Sequence, residues 1–501
     1  MLFNTKSLLR SAETAPKIRQ TYAITLGPKT ILYPAHGAQP LRNDIAHMAA
    51  SMASAAESPH QTRVLPVDVS KVGRFVFEDP TKTFLEDWGL ELSQDGADAA
   101  NLAEAAAHLR LRDTPVAFPT ETVYGLGADA RRSSAVRGIY KAKQRPSDNP
   151  LIVHISSLAQ LRKLLAAQEK EPGIESPQDP IPSIYYPLIS RFWPGPLTIL
   201  LPLPIPSPFA PEVTTTLPTV GVRMPSSRLA LALIHLADVP LAAPSANAST
   251  KPSPTTAAHV LHDLEGRIDL ILDGGPCTVG VESTVVDGLT QPPEVLRPGG
   301  ISIQMLRQCS GWENVRIGYK DGSKGTTPKA PGMKYKHYSP KARVLLVSGQ
   351  LNADTIRQYC KGPGGAGILR TKMWGDKIVK GLGASSHGTQ TNGVHAEATD
   401  SIETQPISNG SNPLPSPRIP SARHLKISVG EPPQETIDIW TIGLGSDMAD
   451  IARNLFSALR ELDEKGVDII FAEAVDDSEG DAAAAVMNRL RKAAEQEIDV
   501  S

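Results

Sequence analysis

Phe118-Pro119-Thr120-Glu121-Thr122-Val123-Tyr124-Gly125-Leu126-Gly127-Ala128-Asp129-Ala130 is the stretch on which the reading of this chain turns. It sets hydroxyls, a carboxylate and a phenol between an apolar run and two glycines. A strand built only for packing keeps its apolar pattern to the end. This one closes on Pro119, Thr120, Glu121 and Thr122. The pattern predicts a strand running into a ligand-facing turn. Gly125 and Gly127 would let the backbone approach a ligand or take positive φ; a tight structural turn is the rival reading.

Working outward, strands and helices alternate irregularly, which predicts a mixed α/β domain. Helical patterns cover Ala99–Leu111, Ser134–Lys143 and Leu229–Leu236, and strand patterns cover Leu151–Ile155, Leu197–Leu201, Val220–Arg223, Leu241–Ala243, Leu270–Leu272 and Thr284–Val286. This domain is expected over residues 61–310, with a linker over 311–342. From Arg343 to the end, strands at Val344–Val347, Ala366–Leu369, Ile437–Ile442 and Val467–Ala472 combine with helices at Ala449–Lys465 and Ala482–Glu495. That predicts a smaller Rossmann-like domain. Its segment near 381–423 is so rich in Ser, Thr, Asn, Gly, Pro and His that a disordered insertion is expected.

A chain of 501 residues is too long for one core. The net charge of −2 rules out a polyelectrolyte but not a local basic surface. Three scattered cysteines, Cys277, Cys309 and Cys360, exclude a disulfide scaffold and any Cys-x-x-Cys metal motif, and they point to a reducing compartment. Residues 1–60 read as an extension. Its first thirty carry Lys6, Arg10, Lys17, Arg19 and Lys29 against Glu13, which suits either a disordered tail or a weak mitochondrial targeting segment. The localisation expected is cytoplasmic, with a mitochondrial fraction as the alternative. No apolar run is long enough to span a bilayer.

Five further segments carry chemistry-bearing residues. Lys141, Lys143 and Arg145 precede two prolines around Asp148 and Asn149, then His154. The cations suit a helix C-terminus or a phosphate clamp in which Arg supplies a planar fork and Lys a mobile charge. Trp193-Pro194-Gly195-Pro196 is a rigid turn placed to position Thr198. Arg223 alternates with small apolar residues in a strand. Burying it unpaired is costly, so it either pairs with an internal acid or holds a substrate carboxylate. Ala243-Pro244-Ser245-Ala246-Asn247 and the Ser253–Thr255 run crowd small polar groups at a strand-to-helix junction, suited to anions or to capping the helix at Thr256–Leu264. Gly280–Thr284 and Leu296-Arg297-Pro298-Gly299-Gly300 complete the set. No Gly-x-x-x-x-Gly-Lys-Ser/Thr phosphate loop, His-Glu-x-x-His site or nucleophile elbow is present.

Taken in order, these segments resemble the YrdC-like family in its long, two-domain form, the threonylcarbamoyl-AMP synthases. The resemblance is strong over about 95–345, including the linker Ala330–Pro340, and looser beyond. It implies a twisted, open α/β sheet around a large, positively lined cavity. It implies an enzyme that joins L-threonine, bicarbonate (or CO₂) and ATP into L-threonylcarbamoyl-AMP and diphosphate. A separate complex then carries the threonylcarbamoyl group to tRNA, and weak binding of double-stranded RNA is a further implied contact. On this resemblance Thr122, His154, Arg223, Ala243 and Ser283 form the threonine pocket. Lys141, Lys143, Arg145, Asn149, Thr219, Ser245, Asn247, Ser253 and Arg297 surround ATP. His337 and Tyr338 touch the nucleotide from a lid hinged at Gly332. Mg²⁺ would travel on the phosphates, with no protein ligand assigned.

Two departures stand out. Asp481, in Glu479-Gly480-Asp481-Ala482, disfavours phosphate where a glycine-rich turn is expected, so no ligand is placed in the C-terminal domain. The insertion near 381–423 is not required by the family. Two rival readings accompany this one. The first is a non-catalytic RNA-binding module. The second is a hydrogenase-maturation carbamoyltransferase, which the absence of paired cysteines argues against.

Overall fold

The structure, a computed structural model, describes residues 61–77, 84–86, 88–147, 149–166, 179–319, 337–374, 421–429, 435–477 and 480–500, and the strands Thr21–Leu26 and Lys29–Pro34. The opening segment forms two antiparallel strands, Val116–Pro119 and Tyr124–Asp129, with Phe118 opposite Gly125. Every residue of both is buried, as in strands covered on two faces. The turn between them is held by Thr120, whose Oγ1 accepts the N–H groups of Thr122 and Val123 at 3.2 and 3.3 Å. Neither Gly125 nor Gly127 has positive φ. A Cβ on Gly127 would lie 2.7 Å from the Phe118 ring. Gly127 is therefore there for packing, which corrects the expectation of a special backbone conformation.

These strands sit inside an 11-stranded sheet. From one edge its order is Arg316–Ile317, Glu294–Arg297, Thr284–Asp287, Leu197–Pro202, Thr219–Arg223, Ile152–His154, Leu241–Ala242, Tyr124–Asp129, Val116–Pro119, Leu270–Asp273 and Arg63–Pro66. The sheet is mixed: Thr219–Arg223 is parallel to Ile152–His154 and antiparallel to Leu197–Pro202. That register sets Arg223 beside His154 at the same strand ends. The helices Ala97–Leu111 and Arg228–Ala237 pack together over the sheet through Leu102, Leu109, Leu231 and Ile234.

The first domain runs past residue 310. Trp312 is fully buried, its Nε1 donates to the Ile184 carbonyl at 2.8 Å, and Arg316–Ile317 adds the edge strand. An aromatic in a stretch poor in aliphatics hid this continuation. Most of the expected linker, including Gly332, lies outside the described residues, as do Asp148 and all but the last residues of the expected insertion. Arg423 already opens a strand, Arg423–Val429.

The C-terminal domain is a 6-stranded sheet ordered Arg423–Val429, Glu435–Gly443, Ala366–Arg370, Ile469–Glu473, Arg343–Gly349 and Gln496–Val500, parallel except at the Arg423 edge. Its helix Met448–Glu464 lies against the first domain. Val123, Val281 and Tyr338 share one apolar cluster with Leu455, Phe456, Leu459 and Leu490. Arg460 grips the buried Asp263 with Nη1 and Nη2 at 3.2 and 2.7 Å, and Thr255 and Ser457 pair their hydroxyls at 2.8 Å. A Cβ on Gly280 would lie 2.3 Å from Arg453 Cα, so the two domains meet there in direct backbone contact.

Candidate active site

A cavity enclosing about 590 Å³ of non-atom space, open mouth included, lies where the domains meet. The turn after Pro119 gives it Thr120, Thr122, Val123 and, just beyond, Gly125. The ends of adjacent parallel strands give His154 and Arg223. Ala243, Pro244 and Ser245 follow the short strand Leu241–Ala242, and Ser245 bridges to Gly125. Glu282, Ser283 and Arg297 form a further wall, Arg145 reaches in from just beyond the helix Ser133–Lys143, and His337 with Tyr338 closes over it. The five residues expected to bind threonine thus share one cavity. Arg145, Ser245, Arg297, His337 and Tyr338 of the nucleotide set share it too.

Among the described residues the lining carries three guanidinium groups and one carboxylate. Arg223, 4% exposed, donates from Nε to the Gly195 carbonyl at 3.2 Å, from Nη1 to Thr122 Oγ1 at 2.9 Å and from Nη2 to Glu121 Oε1 at 2.6 Å. Both alternatives for Arg223 therefore meet: it has an internal acid, and it faces the cavity. Arg297 donates to the Ser283 carbonyl and Oγ, each at 3.0 Å. Burial lowers its pKa to about 10, so it remains a cation at neutral pH. Ser283 Oγ is also 2.8 Å from Thr198 Oγ1, which is how the rigid turn at Pro194–Pro196 serves the site. Burial, then the nearby Arg223, lowers the pKa of His154 to about 3, so its imidazole is neutral.

The residues expected in a lid form a stacked pair. The rings of His337 and Tyr338 lie 4.1 Å apart and 9° from parallel. Tyr338 has φ +63, is 1% exposed and packs 5.1 Å from the Phe456 ring. The backbone ties this stretch to both domains: the His337 N–H donates to the Lys492 carbonyl and the Ser339 N–H to that of Thr250.

Six expected nucleotide residues lie outside this lining. Lys141 is exposed on the helix surface. Lys143 is buried behind the wall, where its Nζ donates to the Ser245 and Asn247 carbonyls at 2.5 and 2.7 Å. Burial drives its pKa well below the usual lysine value. Asn247 braces the same loop, its amide donating to the Ala248 and Lys251 carbonyls. Asn149 is buried and its carbonyl accepts the Tyr140 hydroxyl. Ser253 donates to Glu282 Oε1 at 2.5 Å. The helix after it is capped by Thr256, not by Ser253 or Thr255. Thr219 lines a second, narrower cleft, about 270 Å³ of non-atom space with open solvent included, with Leu200, Val213, Gly221 and Val285, and Ile152 borders both spaces.

Sequence reasoning missed Glu282 and the contribution of the C-terminal domain. Glu282 was visible as an acid inside an apolar strand approach, the same signal that singled out Arg223. Its partner Arg489, 207 residues away, stands on an amphipathic helix among other basic residues and carried no signal.

A family model described as "Telomere recombination" matches residues 109–299, and one described as "Threonylcarbamoyl-AMP synthase, C-terminal domain" matches 301–495. The chain is 45% identical over 405 residues to a threonylcarbamoyl-AMP synthase of Schizosaccharomyces pombe, covering 78% of this chain and 88% of that one. The chain belongs to the threonylcarbamoyl-AMP synthase family. The Pyrococcus abyssi member is 41% identical over 379 residues, covering 75% of this chain and 89% of its own length. A solved structure, P. abyssi Sua5 complexed with L-threonine, superimposes with a TM-score of 0.60 at 34% identity, covering 88% of this chain and 100% of that chain. A second, of a double variant of P. abyssi Sua5, gives 0.61 at 33% identity, covering 88% of this chain and 99% of that chain.

Proposed function

We propose that this chain is an L-threonylcarbamoyladenylate synthase whose main cavity holds L-threonine and the triphosphate of ATP, with the adenine in the adjoining apolar cleft. The observation that carries this reading is the convergence of Arg223, His154, Thr122 and Ser283 at one end of a cavity that also presents Arg145 and Arg297. Threonine offers a carboxylate, an ammonium and a hydroxyl. An arginine has five N–H donors. Three of those on Arg223 are used internally, which leaves two for a substrate carboxylate. Neutral His154 and the Ser283 hydroxyl then face the rest of the amino acid.

Arg145 and Arg297 supply charge where phosphate is expected. Lys143, Asn247 and Ser253 act one step back, holding the Ser245 loop and Glu282 in place. Leu200, Val213 and Val285 give the second cleft buried apolar walls and Gly221 leaves its floor clear, so a base enters it by widening a space that here has room for about one water. Thr219 sits at its rim, so its nucleotide assignment is kept there. Lys141 on the exposed surface is left as a long-range contributor.

The chemistry follows from this placement. The neutral threonine amine attacks the carbon of CO₂ and loses a proton, or forms the same N–C bond from bicarbonate as water leaves, to give an N-carboxylate. One of its oxygens bonds to the α-phosphorus as the bond to the diphosphate oxygen breaks. Charge builds on the α-phosphate in that step, and fixed guanidinium groups stabilise it without reorganisation. No covalent enzyme intermediate is needed, since positioning supplies most of the effect. Burial under His337 and Tyr338 keeps water from the labile carbamate and mixed anhydride. Mg²⁺ enters with the phosphates as part of the substrate. The product goes to a transfer complex that modifies tRNA. The test is mass spectrometry of the reaction mixture for L-threonylcarbamoyl-AMP. Its formation with all three substrates supports the reading, and RNA binding without any product would favour the binding-module alternative.

A further inference from the structure

We infer that Arg489, supplied by the C-terminal domain, is a positioning residue for the nucleotide half of the cavity, acting through Glu282. Among the described residues, Glu282 is the one carboxylate lining a cavity proposed to hold a triphosphate, so its charge and geometry need a fixed partner. Arg489 is fully buried, and its Nε donates to Glu282 Oε2 at 3.1 Å. Its Nη2 lies 3.4 Å from the Glu282 carbonyl, and Nη1 donates to the carbonyls of Pro298 and Ala485. The guanidinium is thus held by both domains, and it stands 6.0 Å from the centre of the Tyr338 ring.

The carboxylate passes this order on. Its Oε1 accepts Ser253 Oγ at 2.5 Å. One arginine from the second domain therefore offsets the charge of Glu282 and, through it, fixes a hydroxyl of the nucleotide wall. Without Arg489 the carboxylate would face the phosphates with Arg297 as its remaining nearby cation, and Ser253 would lose its fixed acceptor geometry. This gives the C-terminal domain a role in the first domain's chemistry although no ligand is placed in it.

The inference rests on the proposed nucleotide occupancy, and the experiment separates the two. Full-length wild type, Arg489→Met, Arg489→Lys, Glu282→Gln and the Arg489→Met/Glu282→Gln double variant are compared by calorimetric binding of ATP and by steady-state turnover, with thermal unfolding measured on each. Arg489→Met is expected to weaken ATP at least tenfold while the KM for threonine moves less than threefold. The double variant is expected to regain most of that loss, because the unpaired charge is gone. Arg489→Lys, which keeps the cation and loses the fork, is expected to weaken ATP less, and it carries the test should Arg489→Met fail to fold. Unchanged ATP binding in Arg489→Met (or in Arg489→Lys where Arg489→Met does not fold), an equal loss for both substrates, or a double variant as impaired as Arg489→Met would overturn the inference. A wild type that binds ATP but makes no product would overturn the function while leaving this test readable.

Discussion

Arg223 Nη2 lies 2.6 Å from Glu121 Oε1, with both side chains under a tenth exposed. The pair makes Arg223 a structural cation and a cavity cation at once. Removing only the arginine leaves a buried carboxylate uncompensated, a loss of roughly 3–5 kcal/mol. Arg223→Ala should therefore unfold at lower temperature and raise the KM for threonine far more than that for ATP. Arg223→Ala/Glu121→Gln should recover much of the stability and none of the threonine affinity. Recovery of both would reduce Arg223 to a purely structural ion.

The three cations of the Lys141–Arg145 cluster should behave differently. Arg145→Ala, in the lining, should raise the KM for ATP at least tenfold. Lys143→Met should raise it too, but with a fall in stability, because the Ser245 and Asn247 carbonyls lose a buried donor at about 1–3 kcal/mol each. Lys141→Ala, on the exposed surface, should change the KM for ATP less than threefold and leave the unfolding midpoint unmoved. Initial-rate kinetics with thermal melts on the three variants would show whether this order holds.

The adenine assignment has its own test at Gly221. A Cβ there would meet Thr198, Ile152 and Leu200 at 3.4–3.6 Å, ordinary contact distances. Gly221→Val should fold but fill the cleft. Its KM for ATP should rise about tenfold, equivalent to about 1.4 kcal/mol, with threonine unaffected. If threonine rather than ATP is weakened, the base lies elsewhere.

Acid should destabilise this protein through buried histidines. Burial lowers the pKa values of His154, His259 and His337 to about 3, against an ordinary 6.5. Between those values the unfolded chain binds protons that the folded one refuses. Their stability contribution is thus complete above about pH 6.5 and is lost progressively towards pH 3, on the order of 1–2 kcal/mol per histidine at pH 5. Urea midpoints at pH 7.5 and 5 should differ accordingly, and His259→Gln should shrink the difference. An equal midpoint at both pH values would show that these rings are not held neutral.

The residues that announced the site in the sequence were those whose chemistry conflicted with their surroundings. Thr122 at a strand end, Arg223 inside an apolar strand and Ser283 at the approach to an apolar strand all reach the cavity. Lys143 read as part of a phosphate clamp or a helix C-terminus, yet its Nζ donates to the backbone of a neighbouring loop, a distinction that depends on a partner 102 residues away. Gly127 looked functional and proved to make room for Phe118. The extent of the first domain was misjudged at Trp312, and the domain interface was not legible at all. Arg460 and Arg489 look like ordinary solvated residues of amphipathic helices until Asp263 and Glu282 are placed against them.

The most direct measurement of the central claim is exchange of labelled diphosphate into ATP by the purified full-length chain, with threonine and bicarbonate each added or withheld. The account predicts exchange only when both are present, abolished when threonine is omitted and strongly reduced in Arg297→Ala. Exchange at the same rate without threonine, or none under any condition while the protein remains folded and binds ATP, would contradict it.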